Sequence, residues 1–175
     1  MRTRLLIAAA TLVVLVACST NSAPPQGAPS MSATPSTSTG SDNPLFVAPD
    51  LPLLPAGAPS APRPLSVVKA AYEFAARHPE VIGYVPCFCG CERGGHKSNE
   101  SCFVAGRNKG SVTWDNHGIG CEICLDVATE TMQMHTAGAS VAQIRQLIEK
   151  KYGPYYEGHT PTPMPPASKS GGSQN

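Results

Sequence analysis

Six cysteines fall between residues 87 and 124, and three of them alternate in Cys87-Phe88-Cys89-Gly90-Cys91. That triplet limits the fold more than any other feature of the chain. A disulfide needs Cα atoms ~5.5 Å apart with converging Cβ vectors, so a Cys-x-Cys bridge closes a very tight ring. In an extended strand the three thiols point to one face. If Gly90 turns the chain, they converge on one soft ion, as thiolates do for zinc or Cu(I). Downstream come His96, Cys102, His117, Cys121 and Cys124. Cys87, Cys89, Cys91, His96, Cys102, His117, Cys121 and Cys124 are therefore the candidate metal or redox site.

The segment around them reads as mainly α. A first helix is expected from Ser66 to His78, ended by Pro79. Lys69, Glu73 and Arg77 recur every four residues as a solvated stripe, which leaves Val68, Ala71, Tyr72 and Ala75 to pack. A second helix is expected from Gly118 to Ala137, stopped by Gly138. Its polar stripe, Glu122, Asp126, Thr129 and Gln133, is narrow. A third starts at Ser140, with Gln143 completing a capping box, and runs to Tyr152 on the apolar face Ile144, Leu147, Ile148 and Tyr152. Between the first two lies an irregular loop with a short strand expected over Val81–Val85. Cys121 is expected in the first turn of the second helix, where the macrodipole favours a thiolate. His135 lies ~21 Å farther along that helix and cannot share an ion with Cys121. It reads as a packed or dipole-paired histidine, Met132 and Met134 as core, and His78 and His159 as helix-end and tail residues.

Composition changes sharply on either side. Residues 19–64 hold eleven prolines among Ser, Thr, Ala and Gly. Such a stretch buries too little apolar surface to offset ~1–2 kcal/mol of backbone entropy per residue. Residues 18–63 are expected to be a semi-rigid tether, with a reach of at most ~140 Å in polyproline II. Residues 157–175 read as a loose tail, and residues 64–156 as the folded domain. Within 65–156, nine Lys and Arg balance nine Asp and Glu, which gives no basic face for nucleic acid.

The N-terminus carries Arg2 and Arg4, then an apolar run from Leu5 to Val16, then Leu15-Val16-Ala17-Cys18. The run is 12 residues long, short of the ~20 that a membrane-spanning helix needs. Small residues before a cysteine form a lipobox. Residues 1–17 are expected to be a lipoprotein signal peptide and Cys18 the lipidated residue. The domain would then be held outside the cytoplasm, as a monomer anchored by lipid to the bacterial cell membrane or outer membrane.

Pro86-Cys87-Phe88-Cys89-Gly90-Cys91 resembles the signature of the PCYCGC-motif (CYCXC) bacterial lipoprotein and selenoprotein family. The resemblance continues through His96-Lys97-Ser98, Cys102-Phe103-Val104, His117, Cys121-Glu122-Ile123-Cys124, Gly138-x-Ser140, Ile144-Arg145 and Lys151-Tyr152. It implies a bacterial lipoprotein with no firmly assigned activity. Selenocysteine in some relatives implies a redox-active or metal-binding thiol. Phe88 stands where the motif has tyrosine, and Asn99-Glu100 where an apolar residue is expected. Both departures read as peripheral.

Three functions stay open. One is a soft-metal site for zinc or copper that binds, stores or transfers the ion. Another is a thiol–disulfide redox protein, although no thioredoxin-like βαβ pattern surrounds Cys121-x-x-Cys124. The last is a disulfide scaffold, the usual use of an even cysteine count outside the cytoplasm. Envelope metal-handling or thiol-redox proteins are the corresponding partners. No serine-nucleophile motif or phosphate loop marks a hydrolase.

Overall fold

A computed structural model describes residues 43–167. The expected signal peptide, Cys18, the tether as far as residue 42 and the tail from residue 168 lie outside the described residues. The described fold is mainly helical with one small hairpin. It comprises α1 (Leu65–Arg77), α2 (Pro79–Ile82), β1 (Val104–Asn108), β2 (Ser111–Trp114), α3 (His117–Gly120), α4 (Glu122–Thr136) and α5 (Val141–Tyr152), joined by short 3-10 turns. Among the described residues, no helix is long and apolar enough to cross a membrane.

Helix α1 forms where the periodicity places it, with Val68, Ala71, Tyr72 and Ala75 buried on one face. Its N-cap is Pro64, two residues before the expected Ser66. Arg77 binds Glu73 one turn back and Asp50. The strand expected over Val81–Val85 is replaced by the single turn α2. A short buried apolar run suits a helical turn as well as a strand, and Pro79 at its start presets the helical φ.

The second expected helix is broken in two. Cys121 is extended (φ −119°, ψ 108°) and forms the N-cap of α4, with α3 before it. Gly118 and Gly120 weaken any continuous helix through this point. Gly138 takes φ +85° after α4, and the Ser140–Gln143 capping box opens α5 as expected. On α5, Leu147 is 50% exposed and Arg145 is buried in its stead. The Arg145 guanidinium donates to the carbonyls of Tyr84, Thr162 and Pro163, so three acceptors satisfy it inside.

The antiparallel hairpin β1–β2 was not expected from the sequence. Its turn, Lys109-Gly110, has positive φ at both residues (47° and 86°), the conformation that matches the twist of flanking strands. Tyr72 stands edge-on to Phe103 at 5.1 Å and to Trp114 at 5.3 Å. This aromatic group ties α1 to the open end of the hairpin, where Val104 pairs with Trp114.

The tether and tail boundaries also need correction. Residues 43–63 lie against the domain: Ala48, Leu54 and Ala58 are buried, and Arg63 pairs with Glu122 and Asp126 of α4. Beyond residue 156, Thr160 and Thr162 are buried. Proline-rich chain can dock without forming regular structure, because Leu54 and Ala58 need only a groove to fill.

Candidate metal centre

The loop between α2 and β1 presents the cysteine triplet through three local devices. Cys87 is held like a strand residue, since its N–H donates to Thr160 Oγ1 at 2.9 Å and its carbonyl accepts from Thr160 N at 2.9 Å. Gly90 then takes φ +79° and Cys91 enters a 3-10 turn, so the alternation ends before the third thiol. Gly95, at φ +91°, turns the chain again and brings His96 and Cys102 back. The backbone N–H of Asn99 bonds the Val85 carbonyl and its side-chain amide donates to the Cys124 carbonyl. Asn99 is fully buried. Its place is central, not peripheral as the motif comparison implied.

From the other side, α3 and α4 supply His117, Cys121 and Cys124. Gly118 makes this approach possible. A Cβ there would lie 2.6 Å from the Phe103 ring and 2.9 Å from the Cys102 carbonyl oxygen.

All six thiols are unpaired. Cys87 Sγ lies 3.5 Å from Cys89 Sγ and 3.4 Å from Cys124 Sγ, with Cys89 and Cys124 3.5 Å apart. Cys91 and Cys102 are 3.6 Å apart, and Cys89 Sγ is 3.3 Å from His117 Nε2. These separations far exceed a ~2.05 Å S–S bond. They come close to the ~3.8 Å edge of a tetrahedron built on 2.3 Å Zn–S bonds. Three sets of four have ligand atoms that all lie within 4.8 Å of one another: Cys87, Cys89, Cys102 and Cys124; Cys89, Cys91, Cys102 and His117; and Cys89, His117, Cys121 and Cys124.

The eighth expected residue, His96, stands behind these sets. Its Nδ1 is 3.4 Å from Cys102 Sγ and its Nε2 is 3.6 Å from Asp115 Oδ2. Asp115 Oδ1 accepts the His117 backbone N–H at 2.7 Å, and the Tyr72 hydroxyl donates to the Asp115 carbonyl at 2.7 Å. Asp115 thus holds the backbone of His117 and faces the ring of His96. Sequence reasoning missed it. The available signal was an Asx turn, an aspartate two residues before the first residue of a helix. Thr160 was missed too, because nothing near it in the chain points to Cys87.

The protons of the cluster are unevenly shared. Hydrogen bonds from the Cys102 thiol and then the Cys124 thiol pull Cys87 down to about 4. Cys102, then Cys121 and Cys124, hold Cys89 far below the thiol range. Cys102 is driven up, first by Cys124 and then by Cys87 and Cys89, which accept its proton. At Cys91 a lowering contact from Cys102 is outweighed by Cys87, Cys89 and burial. At Cys124 the lowering contact from Cys102 is outweighed by Cys121, Cys87, Cys89 and burial. Cys121 was expected to be a helix-stabilised thiolate, yet it is raised: its contact with Cys124 lowers it, but anionic Cys89 and burial raise it more. Negative charge therefore gathers on Cys87 and Cys89.

No curated protein and no solved structure matches the chain. The family model described as a protein of unknown function with PCYCGC motif matches residues 58–165. That span includes every thiol of the cluster and Thr160, and the chain belongs to the PCYCGC-motif family.

Proposed function

We propose that this chain is an extracytoplasmic, lipid-anchored protein whose thiol cluster binds a soft metal ion, zinc or Cu(I), for storage or transfer. The observation that carries the reading is the convergence of six unpaired thiols and His117 into overlapping sets of four donors, each within 4.8 Å. Thiolate and imidazole donors suit zinc and Cu(I), whereas magnesium and calcium prefer oxygen. Cys87, Cys91, Cys102 and Cys124 are buried. Buried sulfur lone pairs without strong donors around them gain most from a cation.

The test is anaerobic purification of the full chain, followed by elemental analysis, a free-thiol count and chelator titration. Metal-bound protein should lose thermal stability with chelator, and the reduced protein should release protons as it takes up zinc. Because thiols must deprotonate to ligate, affinity should fall as pH drops. Protein with no metal affinity, no free thiols and a chelator-independent melt would overturn this reading in favour of a disulfide scaffold. A redox role is the second reading, favoured by the half-buried, acidified Cys89 lying 3.5 Å from Cys124. It would appear as reversible two-electron oxidation of metal-free protein.

A further inference from the structure

The donors outnumber what one ion can use. A tetrahedral soft-metal site takes four ligands, yet seven residues, Cys87, Cys89, Cys91, Cys102, His117, Cys121 and Cys124, enter the three sets. Cys89 belongs to all three, and Cys102, Cys124 and His117 to two each; of the shared sulfurs, Cys124 lies 3.5 Å from Cys89.

We infer that the cluster is binuclear, with two soft cations bridged by the sulfurs of Cys89 and Cys124; this rests on the metal-binding reading above. The inner ion takes Cys87 and Cys102 as its other ligands, and the outer ion takes His117 and Cys121. The two shared sulfurs are 3.5 Å apart, a spacing that lets both belong to each of two tetrahedra sharing an edge. Thiolate sulfur has the lone pairs to bridge, which a neutral imidazole lacks, so His117 is terminal although it enters two sets.

The two positions differ in access. Cys87, Cys102 and Cys124 have no exposed surface, so three of the four inner ligands are sealed. In the outer set, His117 is exposed and Cys121 and Cys89 are half-buried. A cleft of about 470 Å³, lined by Phe88, Cys89, Gly90, Arg93 and Tyr156 among others, opens onto the Cys89 side. The inner ion is therefore retained and the outer one is exchangeable cargo. Cys91, 3.6 Å from Cys102, is left as a reserve thiol beside the inner ion.

Cadmium-113 is the probe, since it replaces zinc at thiolates and reports bonding through shared sulfur. The full chain, reduced and loaded anaerobically, should hold two ions per molecule by native mass spectrometry. Its cadmium spectrum should show two resonances split by mutual coupling through the bridging sulfurs. A chelator should remove one ion in a first, faster phase. His117→Ala, a change at an exposed side chain, should lose the outer ion and leave one uncoupled resonance. Cys89→Ser leaves Cys124 as the one shared sulfur and should reduce the coupling; if it fails to fold, the His117→Ala and wild-type spectra still decide. One ion per chain, or two uncoupled resonances, would overturn the binuclear arrangement while leaving metal binding intact. No bound ion at all would overturn the metal reading itself.

Discussion

At the scale of single residues, the site depends on a few positions with no chemistry of their own. Gly118 is the clearest. It lies against the Phe103 ring next to His117, and a methyl group at residue 118 would overlap that ring and the Cys102 carbonyl. Gly118→Ala should cost about 1–3 kcal/mol, the usual range for overpacking, and should weaken metal binding, because Cys102 is displaced with its carbonyl. Gly120 has open space around its Cα, so Gly120→Ala is the control and should change neither. Urea unfolding and zinc competition measure both, and equal midpoints for the two variants would show that the close approach is not constraining. Asn99 belongs to the same class. Its amide links the thiol loop to the carbonyl of Cys124, so an uncharged polar residue fixes the distance between two halves of the cluster.

At the scale of elements, the segments on either side of the helices are part of the domain. Residues 43–63 contribute buried Leu54 and Ala58 and the Arg63 pairing to α4. The segment after α5 contributes the Thr160 contact to Cys87 and the acceptors for Arg145. A chain shortened to end at Gly158 strands the Cys87 N–H and part of the Arg145 guanidinium. Each buried polar group left without a partner costs ~1–3 kcal/mol, so the loss should reach at least ~2 kcal/mol. A chain begun at Pro64 forfeits the burial of Leu54, worth ~1.5–3 kcal/mol. Both truncations should lower the denaturation midpoint of the metal-free reduced protein, and the C-terminal one should also reduce metal affinity. A midpoint identical to that of the full chain would return these segments to tether and tail.

At the scale of the whole molecule, the functional proposal joins the cluster to a membrane through the N-terminus. Anchoring should depend on the Cys18 sulfur. Cys18→Ser should abolish labelling with a fatty-acid probe and leave an unprocessed or soluble precursor. Membrane-bound Cys18→Ser protein cut at the same site would refute the lipobox. The change should leave zinc or Cu(I) binding untouched, because the donor sets among the described residues are each complete with four ligands of their own. Anchoring and metal binding are thus separable in one variant pair, Cys18→Ser and Cys89→Ser.

The sequence by itself determined the features that depend on neighbours a few residues apart. The face of α1, the Ser140 cap, the Gly138 stop and the turn at Gly90 all follow from local geometry. The family resemblance likewise rests on a short, dense motif. What only the tertiary structure decided depends on residues far apart in the chain. Cys87 meets Cys124 across 37 positions and Thr160 across 73. No periodicity marks Leu54 as buried, because a docked segment without regular structure takes its burial from the groove that receives it. Arg145 borders the expected apolar face of α5 beside Ile148 and Tyr152, and carbonyls from two other segments satisfy its charge there. Cys121 illustrates the same limit in its chemistry. Its position before a helix favours a thiolate, but the anionic Cys89 brought against it by the fold repels a second negative charge.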